Sequence, residues 1–193
     1  CRLPVLMPRR PRQVLMLLAV SAALVSAAAY AANEAGRYQS RAEFLQEALG
    51  TENPPSSVVW INDELRRAAS KILGHPPSML RVRYWYQDGR TAWIIDEVGK
   101  EQPITFGVVV ENAAVQTLRV MQFRETRGWE IRYPFFTEQF SQLRLTDRGS
   151  LSRRIDGISG ATLSVKAATR IANLALVLDE YTKQSKQQAA ANH

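Results

Sequence analysis

Thiol and imidazole ligands are nearly absent from this sequence, which has one cysteine, Cys1, and two histidines, His75 and His193. A single cysteine excludes a disulfide within the chain and any paired-thiolate metal site. His75 lies in a proline-flanked loop and His193 at the terminus, neither with a partner at ligand spacing, so no protein-built metal centre is expected. The lack of a Cys/His/Asp constellation argues against nucleophilic hydrolysis. Internal repeats and low-complexity tracts are also lacking, apart from a polar C-terminal stretch. Acidic residues are missing from residues 1–32, which hold Arg2, Arg9, Arg10 and Arg12. Without those four arginines the 193-residue chain keeps 21 basic against 18 acidic residues, and its net charge falls from +7 to +3. That is an ordinary solvated surface rather than a phosphate-tracking stripe, and no nucleic-acid partner is expected.

What is present begins with 19 uncharged residues, Val14 to Ala32, rich in Leu, Val and Ala and preceded by Arg9, Arg10 and Arg12. A positive segment followed by an apolar one directs export of the chain after it. Residues 1–32 are therefore read as a hydrophobic helix serving as signal sequence or membrane anchor, with Met7 a more typical opening than Cys1. Ala29-Tyr30-Ala31 fits the small-x-small cleavage rule, which would release a soluble periplasmic protein. As a helix the same stretch extends about 28 Å, enough to cross a bilayer core, so a retained anchor is the other fate.

The exported part reads as α+β. Residues 33–57 are expected to form a short helix from Tyr38 to Leu49 and a linker through Asn53-Pro54-Pro55-Ser56-Ser57. Residues 58–184 are expected to form one domain. It opens on an amphipathic helix after Asn62, with Leu65, Ala69, Ile72 and Leu73 at helical spacing. Four strands follow: Leu80–Tyr86, Ala92–Ile95 after an Asp88-Gly89 hairpin turn, Ile104–Val110, and Val115–Phe123 after Glu111-Asn112. Short turns imply an antiparallel sheet flanked by helices. A last helical pattern runs from about Leu163 to Tyr181, with Ala167, Ile171, Leu174, Leu178 and Tyr181 as its apolar stripe. The polar tail from Lys183, residues 185–193 above all, is expected to fray.

Two strings carry chemistry. The first is Asp156-Gly157-Ile158-Ser159-Gly160-Ala161-Thr162-Leu163-Ser164, set at the start of the last helix. Small residues let backbone approach a ligand, and free N–H groups at a helix start favour a phosphate. The plain alternative is a Ser/Gly turn with an N-capping hydroxyl. The second is Glu125-Thr126-Arg127-Gly128-Trp129, which leaves the fourth strand some 30 residues earlier. Gly128 permits close backbone approach to another group, Trp129 offers an aromatic face, and Arg127 adds a positive charge.

Together these strings resemble the FMN-binding domain family. Its members include FMN-carrying components of the sodium-translocating NADH:quinone reductase and of the related Rnf electron-transport complex. In that family a flavin transferase joins FMN to the threonine of Ser-Gly-Ala-Thr through a phosphoester, and a Glu-Thr-Pro-Gly-type loop lies against the flavin ring. The resemblance implies covalent FMN on Thr162, with Gly157, Ser159, Gly160, Ala161, Leu163 and Ser164 around it and Glu125, Thr126, Arg127, Gly128 and Trp129 at the ring. Arg127 departs from the family's proline and points to the stand-alone type of FMN-binding protein. The implied function is an electron-transfer component on the periplasmic side of the bacterial inner membrane, rather than a stand-alone enzyme. Its expected partners are the transferase and membrane haem or flavin modules. A flavin-free periplasmic binding or scaffold module is the alternative.

Overall fold

The computed structural model describes residues 36–191. The Val14–Ala32 stretch and its two proposed fates lie outside the described residues. Five strands form one antiparallel sheet in chain order: β1 (Ser56–Trp60), β2 (Arg81–Gln87), β3 (Arg90–Val98), β4 (Pro103–Glu111) and β5 (Ala114–Gln122). A meander needs only tight turns, and the sequence supplies them: Asp88 and Gly89 join β2 to β3 with φ of 49° and 79°. The β4–β5 turn falls on Asn112 and Ala113, one residue later than expected, both at positive φ.

The strand missing from the sequence reading is β1. Ser56 and Ser57, read as the end of a linker, open it and pair with Trp85 and Tyr84. Pro54 and Pro55 mask the signal, because proline suits a position just before an edge strand. Helix α1 (Arg41–Leu49) begins three residues later than expected. Ser40 and Glu43 close a capping box there, while Tyr38 donates its N–H to the Met121 carbonyl at 2.8 Å. Phe44, Leu45, Ala48 and Leu49 bury against Ala92, Val109 and Met121 on one face of the sheet.

The other face carries the larger core. Helix α2 (Asp63–Leu73), N-capped by Asn62, contributes Leu65, Ala69 and Leu73. The long helix α4 (Thr162–Ala191) contributes Ala167, Ile171, Leu174 and Leu178 to the same cluster, with Tyr181 packed at its edge. Between β5 and α4 lie a 3-10 turn (Trp129–Arg132), the short helix α3 (Pro134–Thr137) and a second 3-10 turn (Glu138–Phe140). Phe136 and Phe140 from this stretch are fully buried, their rings meeting edge-on at 5.4 Å.

One expectation is corrected here and another is extended. The tail from Lys183 is helical to Ala191 rather than frayed. Its Lys, Gln and Ala residues favour helix, and Lys183 pairs with Asp179 and Gln184 with Glu180 at i,i+4. His75 is more than a loop residue: its Nε2 meets the buried Glu97 carboxylate at 3.1 Å, and Arg170 of α4 meets the same oxygen at 3.4 Å. The Pro76 carbonyl and Glu97 hold the His75 imidazole above its ordinary pKa. Among the described residues no helix is long and apolar enough to cross a membrane.

Candidate functional site

Both strings meet in one place. β5 ends at Gln122, and after the buried Phe123 the chain turns across the sheet end that carries the β3–β4 connection. Arg124 ties the loop to β4 by donating to the Pro103 carbonyl at 2.9 Å and to Thr105 Oγ1 at 3.3 Å. Glu125 holds the β3–β4 turn itself: its Oε1 accepts N–H bonds from Lys100, Glu101 and Gln102 at 2.5, 2.7 and 3.0 Å. Partial burial pushes the Glu125 carboxyl up, but these N–H donors and the Lys100 ammonium outweigh it, and its pKa falls below the ordinary value. One carboxylate oxygen is thus committed to the turn and is taken from any ligand.

Gly128 is the point of contact between the two strings. It adopts φ 88°, and a Cβ there would lie 2.9 Å from Ser164 Oγ and 3.3 Å from Ala161 Cβ. In the stretch before α4, Ile155 is buried and Ile158 packs on the core, as the alternation of that stretch predicts. Asp156 is fixed through its N–H to Gln139 Oε1 at 2.8 Å; its carboxylate is exposed and takes no hydrogen bond among the described residues. Arg153 is spent on the Gln139 carbonyl, at 2.7 Å, rather than on the cleft.

The start of α4 is the telling detail. Ala161 donates its N–H to the Ile158 carbonyl at 3.0 Å, and its own carbonyl accepts the first helical bond, from Val165, at 2.9 Å. Ala161 is therefore the N-cap, although alanine has no side-chain acceptor and is a poor residue there. Neither Ser159 nor Thr162 supplies the capping hydroxyl of the plain alternative. The N–H groups of Thr162, Leu163 and Ser164 find no acceptor among the described residues. Three donors, the positive end of a 30-residue helix and an exposed threonine hydroxyl stand together.

These walls enclose an open cleft of about 400 Å³, lined by Glu125, Thr126 and Arg127 on one side and Gly160, Ala161, Thr162, Leu163 and Ser164 on the other. Lys100 and Glu101 complete the lining, paired with each other at 3.3 Å. The sequence reading missed both. Only the β3–β4 register brings their turn to this end of the sheet, and no local motif marks it. Gly157 and Ser159 are exposed on the approach to α4 but outside the lining. Trp129 is turned away: its ring meets Tyr133 edge-on at 5.7 Å and lies under the Arg132 guanidinium at 5.3 Å.

Residues 99–177 match the family model of the FMN-binding domain. The matched stretch runs from the β3–β4 turn through both strings into α4, and so contains every residue of the cleft. No curated protein matches the chain. The cleft fits FMN on its own chemistry. Its volume lies in the range of small-molecule sites, roughly 300–1,000 Å³. Its helix start leaves phosphate donors open, and the glycine at the seam leaves the wall thin.

Proposed function

We propose that this chain, whose residues 99–177 match the family model of the FMN-binding domain, is an electron-transfer flavoprotein carrying FMN as a phosphoester on Thr162. The uncapped start of α4 carries the reading. A helix begun by alanine, with its first N–H groups unused and a threonine hydroxyl exposed beside them, stabilises an anion at that spot. The ester replaces the hydroxyl proton of Thr162 and keeps about one negative charge. Leu163 and Ser164 offer backbone donors to it, and Gly160 leaves open space before it. Thr126 and Arg127 stand across the cleft, where the ring system would be held, with Arg127 favouring its reduced, anionic form.

When bound, FMN supplies one- and two-electron redox chemistry. The chain's residues attach it, orient it and set the charge around it. The family match favours a role in electron transfer. The apolar segment Val14–Ala32 favours export to the periplasmic side of the inner membrane, with membrane haem or flavin modules as partners. A covalent link suits that compartment, since a dissociable cofactor would be lost by dilution.

The test is maturation in a host with a flavin transferase. The wild-type chain should gain the mass of FMN less one water and fluoresce on a denaturing gel. Thr162→Ala should weigh only its amino acids and stay dark. Fluorescence that survives denaturation in Thr162→Ala would place the bond elsewhere.

A further inference from the structure

Half of the large apolar side chains exposed among the described residues gather in one patch: Tyr38, Trp129, Tyr133 and Phe135. Arg132 sits at its centre, with its guanidinium carbon 4.5 Å from the ring centre of Tyr38, 5.3 Å from Trp129 and 4.9 Å from Tyr133. Tyr133 and Phe135 continue the patch at 6.3 Å between ring centres, and Phe135 is 61% exposed. Arg132 Nε has no hydrogen-bond partner among the described residues. Contiguous apolar surface of this kind marks a binding face.

Its position along the chain suggests an occupant. The chain enters the domain at Gly36, whose carbonyl accepts from the Phe123 N–H at 2.9 Å. A Cβ on Gly36 would collide with the Phe123 carbonyl, so the entry path is tightly set. Tyr38 follows two residues later, and Phe123 leads directly into the cofactor loop. Only Asn33, Glu34 and Ala35 separate Gly36 from the uncharged stretch ending at Ala32. Four residues reach at most about 14 Å. With Val14–Ala32 kept in the membrane, a tether this short would hold this corner within reach of the lipid headgroups. Trp and Tyr favour that layer, and an arginine among them extends to phosphate.

We propose that the Tyr38–Trp129–Arg132–Tyr133–Phe135 patch rests on the lipid headgroup layer and holds the FMN cleft beside the membrane surface. This rests on Val14–Ala32 being kept as an anchor, and it is independent of the Thr162 bond. Lipid is favoured over a docked protein because the tether brings the patch to lipid whether or not a partner is present.

The full chain, with Cys1→Ser as background, is reconstituted into phosphatidylethanolamine–phosphatidylglycerol vesicles containing a nitroxide-headgroup lipid. Phe135→Cys and, separately, Tyr133→Cys carry a fluorescent label. Glu52→Cys is the control: its loop leads to Pro55, which accepts from Tyr86 beside the hairpin at the far end of the sheet. The labels at 133 and 135 should lose at least half of their fluorescence, while the label at 52 keeps nearly all of it. Chain that floats with the vesicles but shows no quenching at 133 or 135 overturns the proposal and leaves the anchor standing. Chain that does not float overturns both. Labels shielded from aqueous iodide only when a membrane redox protein is added would make the patch a protein-docking face instead.

Discussion

Gly128 is constrained twice, by its backbone and by its neighbours, so it is where a single substitution says most about the site. At φ 88° any L side chain is strained, and the space a Cβ would fill is held by Ser164 and Ala161. Gly128→Ala is expected to cost roughly 2–3 kcal/mol in urea unfolding and to reduce flavin incorporation, because the loop must lift from α4. Gly157→Ala is the control. Open space surrounds that position, so its stability should change by no more than about 0.5 kcal/mol. Equal losses from both would mean that the two strings do not depend on this contact. At this scale the sequence said much. Thr162, Gly160 and Arg127 line one cleft, and Gly128 packs between the two strings. The sequence reading did not foresee that the Trp129 ring meets Arg132 and Tyr133, because stacking partners are chosen by tertiary neighbours rather than by adjacency along the chain.

The elements that present the site are held by groups far from it. Helix α4 carries Thr162 at its start, and past its middle the buried Asp179 fastens it to the sheet. Thr91 Oγ1 donates to Asp179 Oδ1 at 2.7 Å and accepts from Trp93 Nε1 at 2.9 Å, while Lys183 Nζ stands 2.7 Å from Asp179 Oδ2. Removing one member leaves buried polar atoms unpaired, which costs more than the lost bond alone. Asp179→Ala should destabilise by about 2–3 kcal/mol at an unchanged urea m-value, with the mature flavin still attached. A loss under about half a kcal/mol would show that the network adds nothing beyond packing. The helical stripe facing the core was legible from its spacing, and so was the meander from its turns. Lys100 and Glu101 were not, because a turn becomes a wall of a cleft only through β3–β4 register and the three N–H bonds to Glu125. The Thr91–Asp179 bond spans 88 residues and left no local trace.

Over the whole molecule, the question is how much chain the flavin site needs. The matched family stretch covers residues 99–177, and the strand pattern places the domain's start near residue 58. The structure extends the unit further: residues 36–193 form one compact body. Helix α1 covers a sheet face that would otherwise be open, with Phe44 seated so closely on Gly107 that a Cβ there would come within 2.6 Å of its ring. Burying Phe44, Leu45 and Leu49 contributes about 5 kcal/mol or more, at 1.5–3 kcal/mol for each large side chain. That is comparable to the total stability of an ordinary domain, about 5–15 kcal/mol. A fragment of residues 58–184 also cuts β1 in half and leaves Ala92, Val109 and Met121 in water. It should bind a hydrophobic dye, unfold without a sharp transition and accept little flavin from the transferase, whereas residues 36–193 should unfold cooperatively. If the shorter fragment melts as sharply as the longer one and is labelled as well, α1 is an appendage and the sheet's second face tolerates water. The expected result makes helix α1 part of the flavin domain, placing the sheet's second face and the cleft in one cooperative unit.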